Sequence, residues 1–169
     1  MPINDRAIGI VKKSVVLLFA GQGAQEVGMG QSLVEEYSEA RDLFDMANEQ
    51  LGFDLTKKMF EGPNDELTKT SICQPALYLH GLATWKILKS KCPNLNPVAA
   101  AGLSLGEFTA YSSAGVFSFE KGLEIVSRRG QFMEESCNAT EGSMAAIIGG
   151  DENAVNAVSY THLTLPTKA

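Results

Sequence analysis

The 169-residue sequence contains few cysteines and no closely spaced pair of them. Its three cysteines, Cys73, Cys92 and Cys137, are odd in number and form no Cys-x-x-Cys motif. A disulfide framework needs an even set, and structural zinc sites commonly use such close pairs. The cysteine pattern therefore predicts a reducing, intracellular compartment and no metal site.

Long hydrophobic runs and clusters of positive charge are also absent. The longest candidate signal core, Val15 to Ala20, is too short for a secretory signal and far too short to span a bilayer. Basic residues gather only in pairs such as Arg128-Arg129, and the formal net charge is −6. Because phosphate backbones bind clustered cations, we expect no nucleic-acid partner and no membrane association.

What is present fits a globular α/β protein, with 44% hydrophobic and 20% charged residues. A continuous apolar run that ends in a glycine loop is typical of a strand buried on both faces of a parallel sheet. Apolar residues at spacings of three and four predict helices. The predicted elements are a strand at 15–20, a helix at 31–51, a buried helix that opens at Pro75, a strand at 98–101, a helix at 107–114, a helix at 119–136 and a strand at 143–148. This alternation predicts an α/β fold.

Gly102-Leu103-Ser104-Leu105-Gly106 is a G-x-S-x-G motif between a predicted strand and a predicted helix. Small residues around such a serine let the strand reverse into the helix, so that the hydroxyl projects above the sheet. The amides at the start of the helix favour a developing negative charge. Ser104 is therefore a candidate nucleophile, and a serine that only caps the helix is the alternative.

Arg129 lies on the apolar side of the predicted helix at 119–136, between Ile125 and Phe132. A guanidinium in such a stripe needs an anionic partner. Arg128 lies four residues after Glu124 and matches an ordinary surface ion pair. The partner of Arg129 is either an acidic side chain elsewhere or, if Ser104 is a nucleophile, the carboxylate of an acyl substrate.

Five segments together resemble the malonyl-CoA:acyl carrier protein transacylase family and the related acyltransferase domains of fatty-acid and polyketide synthases. The resemblance covers about residues 15–150. The segments are Leu18-Phe19-Ala20-Gly21-Gln22-Gly23-Ala24-Gln25, Gln74-Pro75-Ala76-Leu77, Gly102 to Glu107, Arg128-Arg129-Gly130-Gln131-Phe132-Met133 and Gly142 to Ile147.

The resemblance implies a role for several residues. Ser104 would carry the malonyl group as an ester, and the backbone amides of Gln22 and Leu105 would form the oxyanion hole. Arg129 would bind the malonyl carboxylate and Met133 would line the acyl pocket. The enzyme would transfer malonyl from malonyl-CoA to the phosphopantetheine thiol of acyl carrier protein, as a monomer without a cofactor of its own.

Two positions depart from the family pattern. Leu103 stands where the family usually has His. Family members of animal mitochondria also carry an apolar residue there, so the resemblance implies a mitochondrial matrix enzyme; the alternative is the cytoplasm. The family's catalytic His lies downstream of the Met-Ala-Ala-Ile segment. Neither His80, inside an apolar helix, nor His162, which lacks the family's surrounding residues, can be assigned as this base.

The resemblance also implies a domain organisation. Residues 1–14 would be a lead-in, 15–141 an incomplete α/β-hydrolase-like large subdomain, and 142–158 the start of a ferredoxin-like small subdomain. Residues 159–169, which have no clear amphipathic period, are either an ordinary tail or foreign to the domain, and we expect the second. We expect an N-terminal fragment that folds poorly and has little turnover. The alternatives are an inactive form that binds at most acyl carrier protein or coenzyme A, and an α/β-hydrolase-type esterase.

Overall fold

The computed structural model describes residues 12–139, 147 and 149–163, and the side chains among them up to 158. The elements in chain order are β1 (Lys13–Phe19), α1 (Gln31–Glu36), α2 (Ser38–Leu51), α3 (Leu55–Glu61), α4 (Asn64–Thr68), α5 (Thr70–Lys91), β2 (Leu95–Gly102), α6 (Leu105–Ser113), α7 (Phe119–Ala139) and α8 (Glu152–Leu163). Parallel strands connected through helices confirm the predicted α/β class. The predicted strand at 143–148 lies outside the described residues apart from Ile147.

Strands β1 and β2 pair in parallel, with Lys13 opposite Leu95 and Phe19 opposite Gly102. A bulge interrupts the register after Val15, which lies opposite Pro97, a residue without an N–H to donate. Because the register places Phe19 beside Gly102, the two strands end together. The loops that follow them therefore begin at the same edge of the sheet.

The prediction that β1 is buried on both faces is wrong in the described structure. Val16 is 54% exposed and Leu18 is 78% exposed, whereas Leu17 and Phe19 on the other face are half-buried. Helix α6 packs against both strands. The apolar run identified the strand correctly, but the burial of its second face depends on chain that does not lie over it in the described part.

Two helix predictions differ from the structure at their boundaries. The helix predicted at 31–51 is broken at Tyr37, which has an extended backbone with φ −127° and ψ 120°. The buried helix begins at Thr70 instead of Pro75, which lies inside it. The carboxylate of Glu134 on α7 accepts a hydrogen bond from the amide of Ser71 at 3.1 Å, and this distant contact supports the earlier start.

Helix α5 forms the centre of the core and packs against α2, α6 and α7. Tyr78, at its middle, is fully buried, and its hydroxyl lies 2.6 Å from Ser112 Oγ and donates to the Phe119 carbonyl at 3.1 Å. None of the helices among the described residues has the length and apolarity that crossing a lipid bilayer requires.

Helix α8 includes the first residues of the segment predicted to be foreign. The segment has regular backbone there, although the sequence shows no clear amphipathic period. Its origin outside the domain stays a prediction.

Candidate active site

Ser104 occupies a strained turn between β2 and α6. Its backbone has φ 53° and ψ −102°, and it is the one residue other than glycine with a positive φ in the described part of the chain. Such backbone strain in a non-glycine residue persists only where its surroundings hold it, and it concentrates at functional sites. The sequence placed the serine on this strand–helix turn, and the structure has it there.

Close backbone packing holds this turn in place. The amide of Leu103 donates to the Phe19 carbonyl at 3.1 Å, which ties the turn to the end of β1. A Cβ added to Gly102 would overlap the backbone of Gly106, and one added to Gly106 would overlap the backbone of Phe19. Both glycines are therefore required by close approach of the backbone.

The hydroxyl of Ser104 contacts Arg129 and leaves the helix uncapped. Although Ser104 is the N-cap residue of α6, its side chain makes no capping hydrogen bond. Instead Arg129 Nη2 donates to Ser104 Oγ at 2.9 Å. This geometry does not support the alternative in which the serine serves only as a helix cap, and it places a cation at the candidate nucleophile.

Arg129 has neutral partners and no described acidic one. Its Nη1 donates to Gln74 Oε1 at 2.7 Å, and its guanidinium lies 5.6 Å from the centre of the Phe108 ring. None of the ion pairs among the described side chains includes Arg129. Arg128, by contrast, is 68% exposed and pairs with Glu124 at 3.4 Å, as its spacing predicts.

Gln74 is a site residue that the sequence quoted only as part of a motif. It is 1% exposed among the otherwise apolar buried residues of the first half of α5. Its carbonyl oxygen accepts from Arg129, and its amide donates to Met133 Sδ at 3.2 Å. A polar residue beside Pro75 in an apolar helix was the available signal, but its partners lie 55 and 59 residues away along the chain.

The loop of residues 21–25 lies against the serine turn. A Cβ on Gly21 would come within 2.6 Å of the Leu103 carbonyl oxygen. Among the described residues, the backbone amides of Gln22 and Leu105 have no hydrogen-bond acceptor. The two donors that the family resemblance implies are therefore both unoccupied at this edge of the sheet.

An open cavity of about 720 Å³ runs along α7. Its apolar wall includes Phe108, Ile125, Phe132 and Met133, with Arg129 among them. Met133, which the family resemblance implies lines an acyl pocket, is one of the residues that line this cavity, whereas Ser104 is not. Phe132 is 63% exposed, so the predicted apolar stripe around Arg129 is partly open in the described structure.

The described residues supply no general base for Ser104. His80 is half-buried on α5, where burial lowers its pKa, and it makes no hydrogen bond to Ser104. His162 belongs to α8, in a part of the helix where only the backbone is described. The described part of the chain also has no group of three or more His, Cys, Asp or Glu that could hold a metal ion.

An exposed serine on a strained strand–helix turn, above a parallel sheet, defines an α/β domain of the kind used for serine-dependent acyl transfer. Residues 16–160 match the acyl transferase domain family, and the chain belongs to that family.

Named relatives narrow the similarity to malonyl transacylases. The chain is 43% identical over 145 residues to the malonyl CoA-acyl carrier protein transacylase of Bacillus subtilis, covering 86% of this chain and 45% of that protein. It is 40% identical over 143 residues to the mitochondrial malonyl-CoA-acyl carrier protein transacylase of Homo sapiens, covering 83% of this chain and 36% of that protein. The chain thus spans less than half the length of these relatives.

A solved structure shows the same fold. It contains a type II polyketide synthase acyl-carrier protein in complex with its malonyl-transacylase, and it matches this chain with a TM-score of 0.77 and 30% identity. The match covers 90% of this chain and 49% of that one.

Proposed function

We propose that the protein transfers a malonyl group from malonyl-CoA to acyl carrier protein through an ester on Ser104. The observation that carries this proposal is the contact of 2.9 Å between Ser104 Oγ and Arg129, whose charge no described acidic side chain neutralises. A nucleophile beside an unpaired guanidinium fits an acyl group that carries its own carboxylate. A neutral-ester hydrolase has no use for that cation.

In the proposed reaction these groups act in two half-reactions. Ser104 Oγ attacks the thioester carbonyl of malonyl-CoA, its proton passes to a base, and the carbon–sulfur bond breaks to release coenzyme A. The amides of Gln22 and Leu105 stabilise the oxyanion of the tetrahedral intermediate. In the second half, the phosphopantetheine thiol attacks the serine ester, and Ser104 regains its proton.

Substrate recognition is divided between charge and shape. Arg129 would turn one or both terminal nitrogens from their present neutral partners to the malonyl carboxylate, which a guanidinium can bind bidentately. Met133 would bound the acyl pocket from one turn further along α7. The enzyme would need no cofactor of its own, since the phosphopantetheine thiol that receives the malonyl group belongs to acyl carrier protein.

The partner and the compartment are proposed from the relatives. The similar solved complex contains an acyl-carrier protein, so we propose acyl carrier protein as the acceptor for a monomeric enzyme. Leu103 and the mitochondrial human relative favour the mitochondrial matrix, and the Bacillus subtilis relative favours the cytoplasm as the alternative.

Intact-protein mass spectrometry with malonyl-CoA tests the proposal. We expect the 169-residue chain to gain one malonyl group on Ser104 and to lose it to added acyl carrier protein that bears phosphopantetheine. Acylation should be slow, because an oxyanion hole and substrate binding alone retain only about 10³–10⁴-fold catalysis when a triad member is missing. No acylation, or equal acylation of Ser104→Ala, would overturn the proposal.

The lack of a base near Ser104 among the described side chains supports a second candidate. In it, the 169-residue chain binds coenzyme A or acyl carrier protein without turnover. The two candidates differ in their product, because the second forms no ester on Ser104 and moves no malonyl group. Many turnovers onto acyl carrier protein would eliminate it.

A further inference from the structure

Gln25 connects the loop of residues 21–25 to the buried helix α5. Its side-chain carbonyl oxygen accepts a hydrogen bond from the backbone amide of Gly23 at 2.7 Å. The same oxygen accepts from the thiol of Cys73 on α5 at 3.2 Å. Its amide nitrogen lies 3.5 Å from Thr68 Oγ1, at the end of the preceding helix. One side chain thus ties a glycine-rich loop to the core.

The bond to Gly23 fixes one of the two peptide planes that flank Gln22. Because a peptide unit is planar, holding the amide of Gly23 also holds the carbonyl of Gln22. The other plane contains the Gln22 amide and the Gly21 carbonyl, and that carbonyl accepts from the Ala24 amide at 3.4 Å. Both planes around Gln22 are therefore held by hydrogen bonds.

The loop needs this restraint because its own backbone is permissive. Gly23 has a φ of +108°, and a Cβ there would meet nothing within 4 Å, so the space beside its Cα is open. Without the Gln25 oxygen, the peptide between Gln22 and Gly23 would keep only the backbone contact of Gly23 with the Cys73 thiol. The plane of the Gln22 amide would then be held only by the bond of 3.4 Å from Ala24 to the Gly21 carbonyl. Elsewhere in the loop, Gly21 lies against Leu103, and the side-chain amide of Gln22 donates to Thr70 Oγ1 at 3.4 Å.

Cys73 provides the fixed end of this connection. It is 0% exposed within α5, and burial raises the pKa of its thiol to about 11. At neutral pH the sulfur therefore keeps its proton and can donate to Gln25. A buried thiol donor also orients the amide of Gln25 so that its oxygen, and not its nitrogen, faces Gly23.

We propose that Gln25 is a positioning residue for the oxyanion hole, whose side-chain oxygen, shared between Gly23 and Cys73, aims the Gln22 amide at the space above Ser104. This role rests on the proposed acyl transfer at Ser104. Gln25 touches no reacting atom, and it acts through the backbone of Gln22. Its loss should slow formation of the charged intermediate while leaving the binding of malonyl-CoA nearly unchanged.

Two measurements on the 169-residue chain test this role. The first is the rate constant of Ser104 acylation at saturating malonyl-CoA in Gln25→Met, which removes the acceptor at similar length. We expect a decrease of about 10- to 100-fold, below the 10²–10³-fold cost of deleting an oxyanion donor outright, with the half-saturating concentration changed less than about twofold. Gln31→Met is the matched control, since Gln31 is exposed on α1 and donates to Glu35 at 3.0 Å.

The second measurement is the hydrogen exchange of the Gly23 amide by NMR. It should quicken in Gln25→Met and return towards the parent rate in Gln25→Glu, whose carboxylate keeps an acceptor. An unchanged Gly23 exchange rate or an unchanged acylation rate in Gln25→Met would overturn the positioning role. So would an equal loss of rate in Gln31→Met. Absence of acylation in the parent chain would overturn the proposed function instead, and the exchange data would still decide whether Gln25 holds the loop.

Discussion

Replacement of Arg129 by alanine should remove the preference for malonyl over acetyl groups. In the structure this guanidinium has two directed donors, at 2.7 Å to Gln74 Oε1 and at 2.9 Å to Ser104 Oγ. Both face the candidate site, and neither is committed to a carboxylate among the described side chains. A malonyl carboxylate would take these donors, whereas an acetyl group offers none.

The size of the effect follows from these bonds. A hydrogen bond to a charged group contributes about 1.5–3 kcal/mol. Because Arg129 is only half-buried and solvent screens its charge, we expect its two hydrogen bonds to a malonyl carboxylate to contribute about this amount together. Since about 1.4 kcal/mol corresponds to a factor of ten, Arg129→Ala should lower the malonyl-to-acetyl ratio about 10- to 100-fold.

A competition assay measures this ratio directly. The chain is incubated with equal concentrations of malonyl-CoA and acetyl-CoA, and the two acyl products on Ser104 are quantified by mass spectrometry. Arg128→Ala is the matched control, because the adjacent arginine is 68% exposed and bonded to Glu124. Its ratio should stay at the parent value, and its stability should change by no more than about 0.5 kcal/mol.

The free energy of unfolding distinguishes a loss of substrate recognition from a loss of the folded site. Arg129→Ala leaves the buried oxygen of Gln74 without its donor, which should cost about 1–3 kcal/mol in urea unfolding. Arg129→Lys should recover part of the malonyl preference, because an ammonium keeps the charge but not the planar fork. A parent-like ratio in a folded Arg129→Ala variant would refute the assigned role of this arginine.

Three further predictions concern the core and the sheet. A Cβ on Gly122 would lie 2.7 Å from Ser112 Oγ and overlap the Tyr78 hydroxyl, so Gly122→Ala should destabilise the chain by about 2–4 kcal/mol in urea; a change below about 1 would contradict this. Burial raises the pKa of Cys73 from 9.0 to about 11 and of Tyr78 from 10.0 to about 12. The unfolded chain ionises first, so the stability that the two neutral groups contribute is present below pH 9 and is lost as the pH rises through 11 and 12. A free energy of urea unfolding that does not change with pH, or one that falls equally steeply in the parent and in the double variant Tyr78→Phe, Cys73→Ala, would contradict this. Leu18, 78% exposed, should bind a hydrophobic dye that Leu18→Ser binds less; equal fluorescence would contradict this.

The fold could be predicted as far as local patterns determine it. The apolar run at β1, the period of α7 and the glycine after α2 identified elements close to their observed positions. The burial of β1 could not be predicted, because it depends on which segments cover the sheet. The start of α5 depended on Glu134, a residue 63 positions away whose carboxylate bonds the amide of Ser71.

The same division applies to the candidate site. Ser104 and Arg129 carry local signals, a small-residue turn and a cation at an apolar helix position, so both could be proposed from the sequence. The role of Gln74 could not, since its hydrogen bonds span 55 and 59 residues along the chain. Nor could the role of Gln25, because its local bond to Gly23 is anchored by a bond to Cys73 that spans 48 residues. A glutamine in a motif shows no preference for one partner until the fold brings that partner within 3 Å or so.

The bond between Arg129 and Ser104 constrains where a base must act. A guanidinium has donors and no acceptor, so Ser104 Oγ can only accept in this contact, and its own O–H stays free to donate. The bonded geometry places that proton away from Arg129, so the base must approach from the other side of the oxygen. A serine oxygen has two lone pairs, so the bond from Arg129 leaves one of them available for attack on a carbonyl carbon.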